Sequence, residues 1–182
     1  MRAVSGCVVV GVVIALAGCH PSQPSSQSAA SVTATPAPPA LWSVAAQNDQ
    51  GKTIKTILVC ADDGIRTAFT QPLPSVSGEP CGLVAPTVQS GGRFAARCRS
   101  AGHLLDIQAQ TSGDPTSDFT VKLLIQTDVT AQPAFAQAVH YHRVGACPSD
   151  WTTGDAAAPG ATMATNSLSG ASHPLSAPAP AS

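Results

Sequence analysis

Between Lys52 and Val144 the chain carries several runs in which apolar and polar side chains alternate residue by residue. Lys52, Ile54, Thr56, Leu58 and Cys60 alternate with Thr53, Lys55, Ile57 and Val59. Phe94, Ala96 and Cys98 fall on one side of an extended chain, with Arg93, Arg97 and Arg99 on the other. Leu105, Ile107 and Ala109 alternate with Asp106, Gln108 and Gln110; Phe119, Val121, Leu123 and Ile125 alternate with Thr120, Lys122 and Gln126. Successive strand side chains point to opposite faces, so a period of two with one polar face marks a half-buried antiparallel sheet. Leu41-Trp42-Ser43-Val44 reads as a short first strand, and Phe135 to Val144 as a less regular last one. Turn chemistry fills the breaks at Ser90-Gly91-Gly92, Ser100-Ala101-Gly102 and Ser112-Gly113-Asp114-Pro115. Short breaks imply hairpins. One segment differs: Ala61-Asp62-Asp63 is placed to cap a short helix through Arg66-Thr67-Ala68-Phe69, before Pro72, Pro74 and Pro80 force an irregular return to Cys81. The expected fold is all-β, a small antiparallel meander sheet, curved or barrel-like, with one short helix.

This patterned region, 41–151, is large enough for one compact domain with little core to spare, so covalent staples help. Cys60, Cys81, Cys98 and Cys147 all lie inside it. Their spacings of 21, 17 and 49 residues include no C-x-x-C pair and match no zinc knuckle, so the four are expected to form structural disulfides. Of the three pairings, Cys60–Cys81 with Cys98–Cys147 is favoured. The first would clip the Pro-rich excursion, and the second would tie a central strand to the end of the last one.

Arg2 is the only charge before Asp49, and an unbroken run of apolar and small residues follows it from Cys7 to Gly18. That run is too short to span a bilayer but suits a secretory leader. It ends in Leu16-Ala17-Gly18-Cys19, which resembles the bacterial lipobox. The resemblance implies a lipoprotein signal peptide over 1–18, cleavage before Cys19, and acylation of Cys19. Two or more acyl chains hold a protein stably on a membrane where one does not. Ala15-Leu16-Ala17 also fits ordinary signal peptidase, which would release a soluble protein. Cysteine parity separates the two readings. Removing the leader leaves five cysteines, and lipidating Cys19 leaves four that pair in an oxidising compartment. His20 stands where an Asp would retain an enteric lipoprotein in the inner membrane, which points to the outer membrane facing the periplasm.

Residues 19–40 carry the lipidated cysteine and then Ser, Ala, Thr, Gln and five prolines without a charge. They read as a disordered tether, which as a flexible coil reaches about 25 Å. Residues 152–182 repeat that composition around Asp155 and read as a disordered tail.

The region 41–148 resembles the bacterial family called "domain of unknown function 3617", small exported or lipid-anchored proteins. The match is carried by Val59-Cys60-Ala61-Asp62-Asp63, Ser90-Gly91-Gly92-Arg93-Phe94, the strand cysteine Cys98, and the closing Arg143-Val144-Gly145-Ala146-Cys147-Pro148. The resemblance implies a fold and a location but no chemistry.

Candidate chemistry is thin. With 9 Lys+Arg against 10 Asp+Glu, the chain lacks the basic excess that a nucleic-acid partner requires. His140 and His142 share a strand face and could chelate zinc or copper with His103 as a third ligand, but no carboxylate or cysteine at recognisable spacing completes the set. Two solvated histidines are the plainer account. Asp62 and Asp63 point apart and fit a helix cap better than an acid–base pair. Arg93, Arg97 and Arg99 could meet an anionic partner, or simply keep a sheet face soluble. No G-x-S-x-G, H-E-x-x-H or phosphate loop occurs. No catalytic residue and no cofactor are therefore expected. The sequence reads as a lipid-anchored envelope protein, a non-catalytic binding or envelope-maintenance module rather than an enzyme. Its expected partners are the membrane and an envelope component or small apolar ligand. The alternatives are a periplasmic metal-binding protein using His140 and His142, and an enzyme whose site carries no known motif.

Overall fold

The computed structural model describes residues 37–48, 50–128 and 135–181; the expected signal peptide over 1–18, Cys19 and most of the expected tether lie outside these residues. The chain opens with a hairpin of β1 (Ala40–Gln47) and β2 (Thr53–Ala61). Asn48 shapes its turn, its side-chain oxygen accepting the N–H groups of Gln50 and Lys52 at 3.1 and 2.9 Å. Helix α1 (Asp63–Thr70) follows, and Asp62 caps it by accepting the Ile65 N–H at 2.9 Å. The prolines beyond Gln71 prevent its continuation. Four short strands cross the excursion: β3 (Ser75–Val76), β4 (Glu79–Pro80), β5 (Gly82–Leu83) and β6 (Val88–Ser90). Then come the long strands β7 (Arg93–Ser100), β8 (His103–Asp114), β9 (Asp118–Thr127) and β10 (Phe135–Ala146). Three more strands follow: β11 (Asp155–Ala157), β12 (Met163–Asn166) and β13 (Ser172–Pro174).

The main sheet runs β13-β12-β11-β2-β1-β10-β9-β8-β7-β5, with β6 also on β7, and every pairing is antiparallel. It does not close into a barrel. The expected meander exists only from β7 to β10. β1 pairs with β10, so the first hairpin joins the meander from its far side. The excursion explains this order. It carries the chain from β2 across to β7 on the other side of the sheet, a distance no tight turn could cover.

Register assigns the faces. Trp42, Val59, Phe94, Ala96, Cys98, Ile107, Ala109, Phe119, Val121 and Tyr141 form the main core on the inner face. Helix α1 sends Ile65 and Phe69 onto that face. Phe69 stacks on Tyr141 at 4.5 Å between ring centroids, Tyr141 on Phe119 at 4.8 Å, and Trp42 meets Phe69 and Phe119 edge-on. The four aromatics thus fill the space between helix and sheet, and offset or edge contacts of this kind add to plain area burial.

A second core occupies the opposite face of the first hairpin, where Leu41, Leu58 and Cys60 meet Trp151, Ala157, Ala164 and Ala179. This corrects the expectation of a disordered tail. Residues 152–181 fold back on the sheet as β11, β12 and β13, with Ala156 opposite Val59 and Ala157 opposite Leu58. Asp155, fully buried, organises the return. Its carboxylate accepts the Thr152 N–H at 2.6 Å and the Asn166 side-chain N–H at 2.9 Å. Alanine brings little apolar area per residue, but it allows close approach to a sheet already carrying Leu41 and Leu58. Between two covered faces, β2 is buried from Leu58 through Ala61.

The disulfides are Cys60–Cys147 and Cys81–Cys98, which corrects the favoured pairing. Facing decides it. Cys60 points into the second core, where Cys147 packs, whereas Cys98 points into the main core, where Cys81 arrives beside β7. A Cys60–Cys81 bond would have to pass through the sheet.

Candidate functional site

The outer face of β7 to β10 lacks the covering that the C-terminal strands give the first hairpin. Its most concentrated polar group stands where β9 meets β10. The register puts His142 opposite Asp118 and His140 opposite Thr120. Asp118 Oδ1 lies 3.0 Å from His140 Nε2, and Oδ2 lies 2.9 Å from His142 Nδ1. Hydrogen bonds from His140 and then His142 hold the Asp118 carboxyl below its usual range. The sequence presented the two histidines as a pair without a carboxylate. The hairpin register supplies one from 22 and 24 residues away. His103 does not join them. It begins β8, at the opposite end of the sheet, 3.9 Å from Asp128. Each oxygen of Asp118 is taken by one imidazole, and among the described residues no group of three or more His, Cys, Asp or Glu is arranged to hold a metal ion. As it stands, one carboxylate orients two imidazole rings on the same strand.

Arg93, Arg97 and Arg99 do share this face, and each is engaged by its own sheet. Arg93 donates to Gln110 at 2.9 Å, Arg97 pairs with Asp106 at 3.2 Å, and Arg99 reaches the Gly102 carbonyl at 3.4 Å. Two shallow adjoining hollows of about 420 and 490 Å³ meet at Lys122 and Leu124, with Gln47, Ala136 and Ala138 in one and Arg93, Gln108 and Gln110 in the other. Among the described residues the Lys122 side chain has no ion pair or hydrogen bond, which leaves its ammonium group free in the middle of an amide-rich face.

Elsewhere the candidate residues serve the fold. Asp62 caps α1 and Asp63 pairs with Arg66. The inner face, where a curved sheet could have cupped an apolar ligand, is filled by Trp42, Phe69, Phe119 and Tyr141. Burial there pushes the Tyr141 phenol up to about 12, so it stays a neutral member of the core at any ordinary pH. Among the described residues no helix is long and apolar enough to cross a membrane. No protein-family model, no curated protein and no solved structure matches this chain.

Proposed function

We propose that this chain is a lipoprotein of the bacterial cell envelope, held on the outer membrane through acyl chains on Cys19 and presenting its β domain to the periplasm as a non-catalytic binding or envelope-maintenance module. The observation that carries the reading is the pair of disulfides, one tied into each core, downstream of a charged-then-apolar leader that ends in Leu16-Ala17-Gly18-Cys19. Cysteines paired this way belong to an oxidising compartment. With four thiols consumed, Cys19 is the cysteine after the leader left for another chemistry. The binding reading draws support from the amide-rich outer face, which no element of the described fold covers from β7 to β10. The membrane is the first partner; an envelope component would be the second.

Metabolic labelling with an alkyne fatty acid tests the anchor. The wild-type chain should incorporate label and sediment with membranes, and Cys19→Ser should lose both properties. Equal labelling of Cys19→Ser would remove the basis of the proposal.

A further inference from the structure

Register lines up Arg93, Gln110, Lys122, Ala138 and Gln47 across the outer face, and Ala95, Gln108, Leu124 and Ala136 in the next row. The two hollows of about 420 and 490 Å³ follow these rows. Their cause is side-chain length. Three alanines and Leu124 make a low floor, and the glutamines and Lys122 stand above it.

The lining of both hollows holds two cations, Arg93 and Lys122, and no carboxylate. The whole chain has a net charge of -1, so this excess is local. Asp106, in the adjoining row, pairs with Arg97 at 3.2 Å. Asp118, two rows away on the other side, is held by both histidines. Arg93 uses only its Nε, on Gln110. The side chains of Lys122, Gln108 and Gln47 make no hydrogen bond among the described residues.

We propose that this face binds an acidic glycan with one carboxylate per disaccharide, successive carboxylates meeting Arg93 and Lys122 and sugar hydroxyls meeting Gln108 and Gln47. The inference rests on the binding reading above and names a ligand class for it. Charge complementarity asks for an anion, and spacing selects its kind. Arg93 on β7 and Lys122 on β9 stand two strands apart, about 10 Å, close to the length of a disaccharide. Side-chain amides donate and accept at once, which suits hydroxyls. A peptide could not add as a strand here, because every strand from β7 to β10 is paired on both sides. Phe94, Phe119, Phe135 and Tyr141 all fall in inner-face register, so no ring of these strands offers a stacking platform. A neutral sugar would lack its main hold, and a nucleic acid would lack both rings and cations.

The test is a titration of the full, oxidised Cys19→Ser chain with a hyaluronan hexasaccharide, which carries one carboxylate per disaccharide, followed by amide NMR. The backbone amides of Ala95, Ala136 and Ala138 and the side-chain amide of Gln108 should shift saturably. Chitohexaose, an uncharged counterpart, should leave them in place, and hexaglutamate and hexathymidylate should bind more weakly. Lys122→Gln and Arg93→Gln should each weaken binding about fivefold, the worth of one exposed ion pair, and Lys122→Arg should retain it. Ala136→Leu, which raises the floor without changing charge, should also weaken it. Lys122 and Ala136 are exposed, so their variants still decide the matter if the amide spectrum shows Arg93→Gln to be unfolded. Absent or unsaturable shifts, or shifts centred on another face, overturn the proposal. So does an equal response to chitohexaose, hexaglutamate or hexathymidylate, or binding undiminished in Lys122→Gln. The anchor is read from Cys19 labelling and the glycan from this titration, so the two fail separately.

Discussion

The two disulfides should contribute unequally to stability, in an order set by the loops they close. Cys60–Cys147 spans 87 residues and Cys81–Cys98 spans 17. In the chain-entropy account, cross-linking restricts the unfolded chain more as the loop grows. For a span of 87 the formula gives about 4.6 kcal/mol at 25 °C. For a span of 17 it gives about 3.1 kcal/mol. Removing the longer bond should therefore cost about 1.5 kcal/mol more than removing the shorter. The structure adds to this difference, because Cys147 also fixes the point from which the C-terminal strands return to the sheet. The paired variants Cys60→Ala/Cys147→Ala and Cys81→Ala/Cys98→Ala should be compared by equilibrium urea unfolding. With a slope of about 2 kcal/mol per molar, the midpoint should fall by roughly 2.3 M in the first and 1.5 M in the second. Equal losses, or a larger loss from Cys81→Ala/Cys98→Ala, would rule out loop length as what sets the order.

Two further outcomes follow from single residues. Burial opposes ionisation of Asp155, but the Thr152 backbone N–H and the Asn166 and Thr152 side chains outweigh it and hold the carboxyl below its usual value. A folded-state value below the unfolded one gives stability that is fully present above the unfolded value of 3.8 and is lost as pH falls through the folded value. Amide exchange in β11 to β13 should therefore rise ahead of that in β7 to β10 on acidification below about pH 4, and Asp155→Asn, at a cost of about 1–3 kcal/mol, should abolish that lead. Gly113 sits at φ +99°, where an added Cβ would lie 2.6 Å from the Asp118 carbonyl oxygen. Gly113→Ala should cost about 2–3 kcal/mol and lower Tm by roughly 4–12 °C in a calorimetric scan.

The strands and the helix were legible because each carries its own local signature. Alternation along Phe94-Ala96-Cys98 and Leu105-Ile107-Ala109 places those residues in the main core, and Asp62 caps α1 as its position suggested. What the sequence hid depends on side chains far apart along the chain. The pairing of β1 with β10 has no local signal, and neither does the facing of Cys60 away from Cys98. Asp118 joins His140 and His142 only through register. The C-terminal strands escaped notice for a different reason. Their composition of Ala, Ser, Thr, Gly and Pro resembles that of residues 20–40, and what distinguishes them is a prepared surface of Leu41 and Leu58 to pack against. Trp151, which anchors that packing, stands at the very end of the patterned region.

The anchor and the disulfides are read together in the mass of the N-terminal and cysteine-bearing peptides from protein purified out of native membranes without reductant. The expected result is a chain beginning at an acylated Cys19, with Cys60 linked to Cys147 and Cys81 to Cys98. A chain that retains its leader, carries an unmodified Cys19, or yields the four downstream cysteines as free thiols would contradict it.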